Sequence, residues 1–186
     1  MTYKTHLSTG LLFSAAFFLF VIKTKLFPAL IVLIVLSTVL GSSAPDLDSP
    51  TSTFWHRLPA GSILGRIVHP VFIGGHRHLS HSLLGMALFC GLFYLLLHLL
   101  PLNSLFMIQN FTLLAAFGLG YFSHLFADMF TESGIPIFFP AAYHFGIPPD
   151  PFEKVRIKTG HWFENLIVYP AVNISLVLLI LDYLKH

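Results

Sequence analysis

The sequence predicts an all-α integral membrane protein with about five transmembrane helices in a single domain, residues 1–186. Three observations carry this. Of the 186 residues, 55% are hydrophobic and only 10% are charged, whereas soluble domains run at about 25% charged. The mean hydropathy is +0.79. The uncharged stretches also come in lengths near the 17–25 residues that a helix needs to cross a bilayer. This composition excludes disorder, which requires low hydrophobicity and high net charge. A net charge of +2 with no basic run gives no footprint for nucleic acid. The single cysteine, Cys90, leaves no internal disulfide.

Five spans follow in order. The first, 6–22, is closed by Lys23 and Lys25. The second, 26–44, carries Pro28 in its first turn, where proline is tolerated. The third, 82–100, is rich in Leu and Phe and ends at Pro101. The fourth, 108–127, stops at Asp128, and the fifth, 166–181, precedes Asp182 and Lys185. The first run reads as an uncleaved span. No small-residue cleavage site follows it, and Pro45 disqualifies the Ser42-Ser43-Ala44 run after the second.

Two interfacial segments, 45–81 and 131–165, complete the chain. The apolar-basic stretch 63–73 suits a helix lying in the interface. Five prolines, Pro136, Pro140, Pro148, Pro149 and Pro151, forbid a continuous helix in the second segment. Lys and Arg near the spans set orientation. An inward N-terminus puts Lys4, Arg57, Arg66, Arg77, Lys154, Arg156 and Lys158 in the cytoplasm, against Lys23, Lys25 and Lys185 outside.

Eleven histidines against eight acids is the unusual feature. On the five-span topology His6, Asp46, Asp48, His76, Arg77, His78, His81, His124, Asp128, His161 and Glu164 all fall on one membrane face. Ionisable groups at membrane depth are costly and mark functional sites. His124 and Asp128 are spaced i, i+4, so a helix turns both to one side. Imidazole with carboxylate suits Zn, Mn or Fe better than Ca. Each residue also has a plainer reading. A lone Asp46 or Asp48 caps a helix or sits in a loop. Arg66 and Arg77 meet anionic headgroups. His124 with Asp128 forms a buried hydrogen-bonded pair. Ser80 and Ser82 flank His81, but adjacent residues do not share a face, and no nucleophile elbow, phosphate loop or Cys-x-x-Cys is present.

Thr5-His6 with Gly10, Pro45-Asp46-Leu47-Asp48, His76-Arg77-x-x-Ser80-His81-Ser82, and Ser123-His124-x-x-x-Asp128-x-x-Thr131-x-x-Gly134 with Pro140 occur in this order. This set resembles the YdjM-like family of LexA-regulated inner-membrane metal-dependent hydrolases, over residues 5–140 with an echo at Glu164. The resemblance implies a polytopic protein of the bacterial inner membrane and a metal-dependent hydrolase. The family's recurring polar positions map onto His6, Asp46, Asp48, His76, Arg77, His81, His124 and Asp128. His78 falls on a variable position, and Ser49 stands where the family often has His. The His-x-x-x-Asp element with His161 and Glu164 is also similar to zinc-dependent phospholipase C, although here the last pair is His-x-x-Glu.

The resulting expectation is a hydrolase working at the cytoplasmic face with one or two divalent ions, zinc foremost, Mn or Fe otherwise. Its candidate ligands are Asp46, Asp48, His81, His124, Asp128 and Glu164. His6 and His76 would orient a ligand or relay a proton, and Arg77 would clamp an anionic oxygen. Membrane lipids are the expected surroundings, and an anionic lipid or lipid-linked phosphoester is the expected substrate. The alternatives are a metal transporter or sensor, and a structural membrane protein with an ion-pair network.

Overall fold

A computed structural model describes residues 1–22, 27–50, 52–56, 59, 61–68, 78–99, 107–141 and 143–185 of the chain. The described residues are mainly helical, and among them β structure is limited to two isolated bridges, Thr131 with Ile157 and Ile135 with Phe145. Helix α1 (Tyr3–Ala16) continues into a π-helical turn, Phe17–Ile22. Helix α2 (Pro28–Ser43) begins with proline at its first position and tightens into a 3-10 turn, Ala44–Asp48. Two short helices follow, α3 (Thr53–His56) and α4 (Gly61–Val68). Helix α5 (Leu83–Leu99) and helix α6 (Met107–Met129) come next. The last, α7 (Tyr169–Lys185), is entered through a π-helical turn, Glu164–Val168.

Three continuous helical stretches, Tyr3–Ile22, Pro28–Asp48 and Glu164–Lys185, are long and apolar enough to cross a membrane, and Leu83–Leu99 is a shorter apolar helix. All four coincide with predicted spans. The first, second and fifth run longer than the hydropathy pattern because their site-side ends carry polar turns: Tyr3 to Thr5, Pro45 to Asp48, and Glu164 with Asn165. The fourth predicted span is α6, which lies at the centre and packs against α1, α2 and α5, while α7 rests on α1.

Helices α1 and α2 turn mostly small and polar residues inward, beside an apolar core that includes Phe18, Ile34, Leu113 and Phe117. α1 buries Thr5, His6, Ser8, Thr9, Gly10 and Ser14, and α2 buries Ser37, Thr38, Gly41, Ser42 and Ser43. Val32, Leu36 and Leu40 meanwhile face outward. Helices in lipid gain nothing from burying leucine and associate instead through small residues that let backbones approach. Gly41 and Gly120 require this. A Cβ on Gly41 would collide with the Phe117 carbonyl, and one on Gly120 with the Thr38 carbonyl and Ser42 nitrogen. Hydroxyls join the helices at depth, Ser14 to Thr38 at 2.7 Å and Ser8 to Asn173 at 3.2 Å.

The described parts of 45–81 and 131–165 gather at one end of the bundle. Trp55 is buried over Gly65 of α4, while Ile63, Arg66 and Ile67 are exposed, which fits an amphipathic helix at an interface. The rest of the predicted interfacial stretch, 69–73, lies outside the described residues. Residues 131–165 form no long helix. Buried Arg156 staples them, donating from Nε to the Pro148 carbonyl at 2.7 Å and from Nη2 to Asp150 at 2.7 Å. Gly146 leaves the space that its guanidinium fills.

Candidate metal centre

Four elements deliver side chains to one point at the capped end. The 3-10 turn after α2 brings Asp46 and Asp48, the turn before α5 brings His81, α6 brings His124 and Asp128, and the first turns of α1 bring His6. Local chemistry fixes each approach. Ser82 caps α5 by accepting the Gly85 N–H at 3.0 Å, which holds His81 just ahead of the first turn. Pro45 suits the start of the 3-10 turn and turns the chain out of α2. The i, i+4 spacing on α6 puts His124 and Asp128 on one face, as the sequence predicts.

The donor atoms converge. Asp46 Oδ1 lies 3.9 Å from His81 Nε2 and 3.8 Å from His124 Nε2. Asp128 Oδ2 lies 3.6 Å from both of these nitrogens. Those separations exceed hydrogen-bonding distance. Ligands on a tetrahedral ion with 2.0–2.1 Å bonds stand about 3.3–3.4 Å apart, and these four pairs are a few tenths of an ångström wider than that. Two groups of three have ligand atoms within 4.8 Å of one another: His6 with His124 and Asp128, and Asp46 with His81 and His124. Only Asp46 reaches the surface, with its side chain 23% exposed, while His81, His124 and Asp128 are sealed.

The proton positions follow from the partners. His124 Nδ1 donates to the Ser42 carbonyl at 2.7 Å, which leaves Nε2 as a lone pair in the neutral ring. That Nε2 is buried without a hydrogen-bond partner. Ser80 Oγ donates its one proton to Asp48 Oδ2 in a short hydrogen bond, so it accepts from His81 Nδ1 at 3.0 Å. His81 Nε2 therefore also presents a lone pair to the centre. Burial pushes the His81 pKa down to about 3, which keeps the ring neutral. His6 Nε2 donates to Asp128 Oδ1 at 3.2 Å, its ring stacks on His124 with centroids 3.6 Å apart, and its Nδ1 is buried without a partner. The Met1 amino group also contacts Asp128 Oδ1.

Thus the structure brings Asp46 together with His81 and His124, and His6 together with His124 and Asp128, with Asp48 behind Ser80. It does not bring in Glu164. That carboxylate is buried a short way off, where Thr2 N–H, Thr2 Oγ1 and Thr5 Oγ1 donate to Oε1 at 2.6, 2.8 and 2.7 Å, and Gly160 N–H donates to Oε2 at 2.7 Å. It clasps the start of α1 to the entry of α7. His161 is exposed, and His78 pairs edge-on with His144 instead. His76 and Arg77 lie outside the described residues. Ser80 is the contributor that sequence reasoning passed over. The sequence offers it as a nucleophile and as part of the family motif, while its place beside His81 is the signal for an orienting partner. Nothing in the pattern marked the Ser42 carbonyl, since every residue has one.

The chain matches the family model described as YdjM inner membrane protein over residues 1–184. It is 33% identical over 155 residues to inner membrane protein YdjM of Escherichia coli (strain K12), covering 80% of this chain and 70% of that protein. The figures are the same for inner membrane protein YdjM of Shigella flexneri. It is 28% identical over 169 residues to uncharacterized protein YvsG of Bacillus subtilis (strain 168), covering 90% of this chain and 88% of that one. No solved structure matches the chain. The resemblance read from His6, Asp46, His81, His124 and Asp128 thus extends along nearly the whole sequence, and the chain belongs to the YdjM family of inner membrane proteins.

Proposed function

We propose that the chain is a multi-pass hydrolase of the bacterial inner membrane, working with one divalent transition metal ion, zinc foremost, at its cytoplasmic face. The observation that carries this reading is the buried His124 Nε2. It has no hydrogen-bond partner and is held as a lone pair facing two carboxylates that stand too far off to accept from it. Buried polar atoms are otherwise satisfied in folded proteins, and an unsatisfied one calls for an explanation such as an ion. Two neutral imidazoles with two carboxylates suit zinc, and also Mn or Fe.

Asp46, His81, His124 and Asp128 would hold the ion. When bound, such an ion supplies Lewis acidity, acidifying water and polarising the scissile group. The protein side of the reaction falls to the surrounding groups. Asp46 stands at the mouth, where substrate arrives. His6 steadies Asp128 through Nε2 and offers Nδ1 to take up a proton. Arg77 is assigned to clamp a phosphate oxygen, since a guanidinium fork fits it. The substrate is then an anionic lipid or a lipid-linked phosphoester. Five passes with an inward N-terminus complete the topology.

The test is elemental mass spectrometry of protein purified in detergent without chelator. About one equivalent of zinc, manganese or iron per chain is expected, followed by hydrolysis of a phosphoester in a substrate screen. Protein that stays metal-free after reloading with zinc and manganese would overturn the reading. It would favour the alternative suggested by the Met1 amino group on Asp128, a structural ion-pair network.

A further inference from the structure

We propose that a groove between α2, α5 and α6 holds a single hydrocarbon chain of a membrane lipid, placing that lipid's polar head at Asp46. This rests on the hydrolase reading for its purpose, though not for its geometry. The groove has a volume of about 240 Å³ and is walled by Leu40, Leu47, Phe89, Phe93, Leu96 and Phe117. No charged side chain lines it. Its one hydroxyl, Ser43, is already spent on the Val39 carbonyl at 2.8 Å. Phe93 and Phe117 stack with centroids 4.4 Å apart and interplanar angle 13°, giving the groove a flat aromatic wall.

Position selects the occupant. One end of the groove is Leu47, which sits between Asp46 and Asp48 in the 3-10 turn. Asp46 is the site carboxylate that reaches the surface. The other end is Leu96, about 20 Å along α5 from Leu83 at 1.5 Å per residue. Half of a bilayer's hydrocarbon core is about 15 Å, so the groove runs from the site's level through the leaflet on that side. It opens sideways, because Leu40, Leu92 and Leu96 are exposed on the outer faces of α2 and α5. Those faces belong to apolar helices of a membrane protein, so lipid is what meets the opening.

A larger cavity, about 440 Å³ between α1, α2 and α7, does not compete for the role. It extends to Tyr183 and Leu184, at the end of α7 remote from the site. A chain lying there could not keep its head at Asp46.

The experiment reconstitutes the full chain into phosphatidylglycerol and phosphatidylcholine vesicles. They contain a trace phospholipid with a mid-chain diazirine, and labelled residues are mapped by peptide mass spectrometry after photolysis. Labelling of Leu40, Phe89, Phe93 and Leu96 is expected several-fold above that of Ile174, Leu178 and Leu181. Those three form a face of α7 at least as exposed as the groove, so exposure alone would label them as much or more. Leu96→Trp at the mouth should cut labelling of Phe93 and leave α7 unchanged. Equal labelling of α5 and α7, or no response to Leu96→Trp, would overturn the groove. Metal content measured on the same sample separates the two proposals. Groove labelling in metal-free protein sinks the hydrolase reading and upholds the groove, while metal with uniform labelling does the reverse.

Discussion

Ser80→Ala isolates the orienting chain behind His81. In the native arrangement Ser80 Oγ donates to Asp48 and accepts from His81 Nδ1. Asp48 Oδ2 and His81 Nδ1 are 3.7 Å apart, too far to bond directly. Ser80 is buried to 1% exposure, so its loss leaves no route for water to bridge the gap. The backbone is a built-in control. The Ser80 carbonyl accepts from Tyr121 whatever the side chain, so the turn keeps its anchor. Outer-sphere partners of this kind are worth about 10–100-fold in metal affinity, or about 1.4–2.7 kcal/mol. At free zinc set to 100 times the wild-type Kd, the ion stabilises the native protein by about 2.7 kcal/mol. A tenfold weaker site retains about 1.4 kcal/mol of that at the same zinc. The assay is zinc competition against a chromophoric chelator in detergent, with thermal unfolding with and without zinc as the second readout. An unchanged zinc affinity in Ser80→Ala would refute the orienting role of the Asp48–Ser80 pair.

Other substitutions separate ligands from scaffold. Asp128→Asn should reduce bound metal to background in elemental analysis while the protein still inserts, because the only strongly anionic donor on α6 is gone; stoichiometric metal in that variant would remove Asp128 from the ligand set. Glu164→Gln should leave metal content intact and lower stability by about 1–3 kcal/mol, the range for disturbing a buried, multiply bonded polar group. Loss of metal in that variant would instead restore Glu164 to the ligands. Gly120→Ala forces a Cβ against the Thr38 carbonyl and Ser42 nitrogen, so the thermal midpoint should fall by the equivalent of about 1–3 kcal/mol. A midpoint equal to wild type would show that α2 and α6 can separate freely.

The helices were legible because lipid imposes a length and a polarity on each, and the chain obeys both. The site was legible for a related reason. A polar residue at the end of an apolar run has few places to go, and alternating span direction sends His6, Asp46, His81, His124 and Asp128 to the same end. The division of labour among them was not legible. Spacing treats Asp46 and Asp48 alike, yet a 3-10 turn sends one towards His124 Nε2 and the other towards Ser80. Glu164 looks like a ligand from its place at the start of a span. Only the fold shows that Thr2, Thr5 and Gly160 reach it first. Helix ends were blurred because hydropathy fades where polar turns extend a helix, as at Tyr3 and Asp48.

The same packing bears on whether such a centre serves chemistry or transport. Carrying an ion across would need polar groups along the bundle with spare hydrogen-bonding capacity. The hydroxyls at depth are already committed: Ser14 to Thr38, Ser8 to Asn173, and Ser42 to the Thr38 carbonyl. Between α2 and α6 the backbones press together, with Gly41 on Phe117 and Gly120 on Thr38. The cluster has its exposed edge at Asp46, at the end of the bundle, and beside it lies a groove with no charged lining. A transporter would place its polar residues across the membrane and its apolar ones around them. Here the clustered His and Asp residues lie at one end and the apolar groove leads towards them, an arrangement suited to bringing an amphiphile's head to Asp46.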